Sequence, residues 1–147
     1  MNNSPKKIKG NKFTNDKGTI KFVNDFSLKR FKRFYQIDLP KAAIIRAFHG
    51  HMKESKAVFV ISGSILLFIA KLTDKNIPSK KIKPKKIILS SDFPSIYFIP
   101  PKYANGIMSL EKNTRVIFFS DKTLKESEKD NCRFPQDYWG KNIWKHE

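Results

Sequence analysis

Short apolar runs, each closed by turn residues, follow one another at intervals of about ten residues, which commits a chain to stacked or closed β-sheets. "GTIKFVNDF" (Gly18–Phe26) reads as a first strand, with Ile20 and Phe22 on one face. From Arg30 to Leu39, "RFKRFYQIDL" alternates large apolar and basic residues. A period of two puts Phe31, Arg33 and Tyr35 on one face and Lys32 and Phe34 on the other, and Pro40 ends the run. "AAIIRAFHGH" (Ala42–His51) comes next. "KAVFVIS" (Lys56–Ser62) and "ILLFIAKL" (Ile65–Leu72), separated by Gly63-Ser64, read as a hairpin. "KKIILSS", "SIYFIPP", "NGIMSLE" and "TRVIFFS" complete the β region at Ser120. One segment reads as helix, "DKTLKESEKD" (Asp121–Asp130), rich in helix formers and opened by an acidic residue. The expected fold is all-β, a sandwich or barrel with a short C-terminal helix.

The bulk properties narrow the class. A chain of 147 residues suits one domain, expected over 17–147 and preceded by a flexible basic tail over 1–16. The tail "FPQDYWGKNIW" is expected to pack its two tryptophans back onto the body. The lone Cys132 excludes an intrachain disulfide, which suits a cytoplasmic location. "MNNSPKKIKGNKFTNDKG" is polar and basic, unlike a signal peptide. The run Ile65–Ala70 is too short to cross a bilayer, so no membrane partner is expected. A net charge of +17 admits nucleic acid, acidic membrane or a phosphorylated small molecule as partner. Most of that charge is lysine, a composition common in AT-rich genomes. The densest cluster, "KKIKPKK" (Lys80–Lys86), reads as a solvated loop or edge strand.

"RAFHGH" holds two of the three histidines. On an extended strand His49 and His51 point the same way, together with Ile45 and Ala47. Facing a barrel interior, two imidazoles can shuttle protons near neutral pH. Strict alternation sends Arg46 to the other face, so a bulge or turn between Arg46 and His49 is required to bring its guanidinium into the same pocket. A His-x-His start is also compatible with a metal site. Glu54 is close in sequence, and the remaining histidine, His146, is far away.

Three segments, "RAFHGHMKESKAVFVISGSI", "SIYFIPPKYANGIMSL" and "DNCRFPQDYW", together resemble the cupin-type nucleotide-sugar epimerases and ketoisomerases. These are the relatives of dTDP-4-dehydrorhamnose 3,5-epimerase and of the dTDP-4-keto-6-deoxyglucose 3,4-ketoisomerases. The resemblance runs from about Gly18 to Trp139 and implies a jelly-roll barrel. It also implies a homodimer without metal or cofactor, acting on a nucleoside-diphosphate 4-keto sugar in surface polysaccharide biosynthesis. In that chemistry a base removes a hydrogen next to the ketone, and the proton returns elsewhere.

By position, the resemblance makes His49 the catalytic base and His51 its partner in a His-x-His motif. Arg46 falls on a diphosphate-binding arginine, with Ala47 where the family has glycine. Lys56 falls on a lysine near the sugar, suited to stabilising an enolate. Arg33 and Tyr35 fall on a strand that contacts diphosphate and sugar. Tyr103 and Asn105 lie in a segment similar to one that lines the epimerase site, and Tyr103 becomes a candidate acid. The chain departs from the rhamnose-type epimerases in two places. Thr123 and Leu124 stand where a tyrosine acid is expected, and the aspartate that orients the base falls in a segment beyond the end of this chain.

Three alternatives accompany this reading. A non-catalytic sugar-binding cupin fits the two departures. A metal-dependent cupin fits the His-x-His. A nucleic-acid-binding protein fits the charge and the aromatics of "KRFKRFYQI", although those aromatics read as half-buried and so make nucleic acid the lesser expectation.

Overall fold

The computed structural model describes residues 4–146. Among them are twelve strands and one helix. The strands are β1 (Lys6–Lys9), β2 (Asn11–Asn15), β3 (Gly18–Phe22), β4 (Arg33–Leu39), β5 (Ile45–His51) and β6 (Lys56–Ser62). They continue with β7 (Ser64–Lys71), β8 (Lys85–Ser90), β9 (Ser95–Ile99), β10 (Tyr103–Ser109), β11 (Thr114–Ser120) and β12 (Asn131–Arg133). Helix α1 (Leu124–Lys129) precedes β12. Two five-stranded sheets, ordered β1-β9-β6-β11-β4 and β12-β5-β10-β7-β8, form the jelly roll, and β2-β3 is a separate hairpin.

The alternation seen in the sequence decides what lies between the sheets. Leu39, Val58 and Val60, Tyr97, Val116 and Phe118 from the first sheet meet Ile65, Leu67, Ile69, Leu89 and Ile107 from the second. A second cluster covers the outer face of the second sheet. There Phe48, Leu66, Phe68 and Met108 pack against Phe134, Trp139 and Trp144 of the C-terminal segment, as the sequence leads one to expect. The indole N–H of Trp144 donates to the Gln136 carbonyl at 2.8 Å, so burial leaves no orphaned donor there.

The β6–β7 hairpin turns at Gly63, whose φ of +77° suits glycine. Lys85 and Lys86 lie on β8, an edge strand, in keeping with the solvated reading of their cluster.

Two expectations are corrected. The tail expected over 1–16 forms strands from Lys6 onward. Ile8 pairs with Ile96 on β9, and Phe13 pairs with Ile20 in the hairpin. Edge pairing satisfies backbone groups that β9 otherwise leaves open. Met1–Asn3 and Glu147, the outer ends of the expected tail and domain, lie outside the described residues. The helix expected over Asp121–Asp130 is shorter. Thr123, not Asp121, caps it: the Thr123 hydroxyl accepts from Glu126 N–H at 3.2 Å while the Glu126 carboxylate accepts from Thr123 N–H at 3.0 Å. Both flanking aspartates serve other backbone. Asp121 accepts from Ser55 N–H at 2.8 Å, and Asp130 caps residues 52–54.

Candidate active site

Of the two devices that could turn Arg46 inward, a bulge or a turn, the strand uses a bulge. On β5, His51 pairs with Tyr103 and His49 with Asn105, but Arg46 pairs with Ile107. Ala47 and Phe48 therefore stand against the single residue Gly106. One extra residue restores Arg46 to the face of the two histidines. The opposite strand must be small there: a Cβ on Gly106 would lie 2.5 Å from the Ala47 Cβ and 3.0 Å from the Trp144 ring.

A cavity of about 320 Å³ opens at this end of the barrel. Arg33, Tyr35, Arg46, His49, His51, Lys56 and Asn105 all line it. Tyr103 does not. Its ring packs against the inner apolar cluster, beside its strand partner His51 but out of the cavity wall. The register that pairs it with the histidine strand says nothing about where a long ring leans, and apolar packing takes it.

Tyr35 stacks on Phe118 with ring centroids 5.4 Å apart and an interplanar angle of 2°. The Lys56 ammonium donates to the Tyr35 hydroxyl at 2.9 Å. Arg33 is steadied by donation from Nε to the Lys122 carbonyl at 3.1 Å and lies over the Tyr35 ring at 5.4 Å. The Asn105 amide reaches the His49 carbonyl at 3.5 Å.

Arg133 and Asp130 escaped the sequence reading as site residues, and Glu54 entered it only in connection with a metal site. Arg133 lines the cavity because β12 pairs with β5 and sets it opposite His49. Asp130 accepts from the N–H groups of Met52, Lys53 and Glu54 at 3.1, 2.8 and 3.0 Å. Its Oδ2 also lies 3.9 Å from His51 Nδ1. An aspartate beside a site histidine is thus present within the chain, where the resemblance looked for it beyond the end.

The electrostatics follow from this arrangement. Burial, then the charges of Lys56, Arg133, Arg46 and His51, push the His49 imidazole down to about 4. It is therefore neutral at physiological pH, with a lone pair available. Burial and Lys56 lower His51 as well, while Glu54 and Asp130 oppose the shift. The wall carries three arginines and a lysine around His49, with Glu128 also on it, so its charge is predominantly positive. Among the described residues, no three His, Cys, Asp or Glu side chains are grouped to hold a metal ion. No helix of the described residues is long and apolar enough to cross a membrane.

No family model matches the chain, and no curated protein matches it in sequence. Solved structures match it in shape. The dTDP-4-dehydrorhamnose 3,5-epimerase of Bacillus anthracis, with TDP and PPi bound, is 19% identical at a TM-score of 0.74, over 90% of this chain and 79% of the epimerase. A dTDP sugar isomerase from Desulfovibrio desulfuricans G20 is 17% identical at a TM-score of 0.72, over 90% and 85%. A sugar 3,4-ketoisomerase from Thermoanaerobacterium thermosaccharolyticum, in complex with TDP, is 19% identical at a TM-score of 0.67, over 92% and 91%. Likeness at 17–19% identity concerns the fold: the chain is built on the cupin-type jelly roll that these three proteins share.

Proposed function

We propose that this protein is an isomerase of a nucleoside-diphosphate-linked 4-keto-6-deoxy sugar, moving a proton next to the ketone. The observation that carries the reading is that His49 shares one cavity with Arg46, Arg133 and Lys56, charges that favour its neutral form. A diphosphate needs forked cationic donors, and the arginines supply them. A carbon acid next to a ketone needs a base with a free lone pair and a positive group at the carbonyl oxygen.

In this scheme His49 takes the proton. The C–H electron pair forms a C=C bond, and the carbonyl π pair moves to oxygen. Lys56, held by Tyr35, stabilises that enolate oxygen. Reprotonation on the opposite face gives an epimer, and reprotonation at the former carbonyl carbon, with loss of the neighbouring hydroxyl proton, moves the ketone. The resemblance in "RAFHGH" and the fold shared with dTDP-sugar epimerases and ketoisomerases support the same chemistry. The setting is cytoplasmic synthesis of surface polysaccharide sugars, in line with a single unpaired cysteine.

A second copy of the chain covers the outer face of the first sheet. Phe34 is 66% exposed there, beside the half-buried Phe59, Ile117 and Phe119. Light scattering at twice 17.1 kDa supports the dimer, and a 17.1 kDa particle contradicts it.

The test is incubation with a panel of nucleotide-linked 4-keto sugars in deuterated buffer, read by NMR. A new keto sugar carrying deuterium supports the isomerase. Saturable binding without exchange gives the binding-protein reading instead.

A further inference from the structure

A carboxylate lies sealed beneath the cavity without a part in the chemistry above. Glu54 is 2% exposed. Neither of its oxygens has a hydrogen-bond partner among the described residues. Its Oε2 lies 3.6 Å from His51 Nε2 and 3.5 Å from Lys56 Nζ. A buried carboxylate is costly unless neighbouring charge compensates it, and Lys56 and His51 are the compensation within reach. From the opposite side Asp130 Oδ2 stands 3.9 Å from His51 Nδ1. His51 therefore has an acidic oxygen near each ring nitrogen. His49, two residues away on the same strand, is surrounded by Lys56, Arg133, Arg46 and His51 instead.

We infer, resting on the isomerase reading, that Glu54 is a positioning residue: it fixes the Lys56 ammonium and the His51 ring as one charge-balanced unit and leaves His49 as the proton-accepting imidazole. Three consequences follow from the contacts. Lys56 donates to Tyr35 from a fixed point, because Glu54 holds it from below. The Lys56 charge bears less on the two imidazoles, because a carboxylate lies beside it. The histidines, equivalent by strand position, become unequal: His51 faces Glu54, Asp130 and Lys56, and it gains its proton at a higher pH than His49.

The experiment is a ring-nitrogen NMR titration of the two histidines in the full chain, alongside kinetics on the sugar substrate. In the wild type His51 titrates above His49. In Glu54→Gln the His51 midpoint falls toward that of His49. The same variant loses roughly tenfold or more in kcat, as expected for a lost contact to a charged group. Its KM changes by less than about threefold, since the diphosphate contacts remain. In a Lys56→Gln background, Glu54→Gln lowers kcat no further. Equal or reversed titration order in the wild type, an unmoved His51 midpoint in Glu54→Gln, or additive kinetic losses overturns the inference. If Glu54→Gln does not fold, the wild-type order decides alone. The titrations need no turnover. A chain that converts no keto sugar removes the isomerase reading, while the order and shift of the midpoints still decide the role of Glu54.

Discussion

Acidification should weaken this fold through His49, and the size of the effect can be worked from its surroundings. The unfolded imidazole titrates near 6.5 and the folded one near 4. Between those values the unfolded chain binds a proton that the folded chain refuses. Stability is therefore full above pH 6.5, falls as pH drops, and levels off near pH 4 as far as this group is concerned. A one-proton difference is worth about 1.4 kcal/mol per pH unit, so a fully buried group would contribute ~3 kcal/mol over this window. His49 is only half-buried, in a cavity open to water. Solvent screening reduces the expectation to ~1–2 kcal/mol. His51 adds loss in the same direction, opposed by its two carboxylates. The assay is urea unfolding at a series of pH values for the wild type and for His49→Asn, whose amide does not titrate. The wild type should lose more stability than the variant on going from pH 7 to about 4. Superimposable curves would falsify the claim that the fold holds His49 neutral.

Other substitutions probe the site and its frame. Arg46→Ala removes a charge-assisted contact and should weaken TDP binding by ~1.5–3 kcal/mol in calorimetry, and unchanged affinity removes Arg46 from the diphosphate site. Gly106→Ala puts a methyl against Ala47 and Trp144 and should cost ~1–3 kcal/mol in denaturant unfolding, whereas a neutral effect means that the bulge is not tightly packed. Removing residues 1–9 strips β1 from β9 and should lower the thermal midpoint, and an unchanged midpoint restores the picture of a loose tail.

What the sequence disclosed, and what it withheld, follows from the range of each interaction. The β6–β7 hairpin was legible because Gly63 and two apolar runs are neighbours in the chain. The histidines were legible because a strand's period of two aligns i with i+2. Arg46 set the requirement for a bulge or a turn, and left open which. Arg133, Asp130 and Glu54 were not legible as site residues. Arg133 reaches His49 only through the β12–β5 pairing, from about eighty residues downstream, and strand pairing across that distance leaves no local pattern. Asp130 read as the last residue of a helix, because nothing nearby showed that the backbone of residues 52–54 would claim its carboxylate. Glu54 was legible only as a sequence neighbour of the histidines, because its contacts to His51 and Lys56 depend on how the chain bends after β5. Tyr103 shows the limit of register: it is the strand partner of His51, and its ring packs against the apolar interior. The first strands were misread because lysines dominate Lys6–Lys12, and an edge strand open to water tolerates them.

The most direct measurement is deuterium incorporation at carbons next to the ketone of TDP-4-keto-6-deoxyglucose in heavy water, with wild type and His49→Ala side by side. TDP affinity is checked in both. Incorporation by the wild type and none by the variant, with TDP binding retained, is the expected result. Equal incorporation by both proteins contradicts the assignment of His49 as the base.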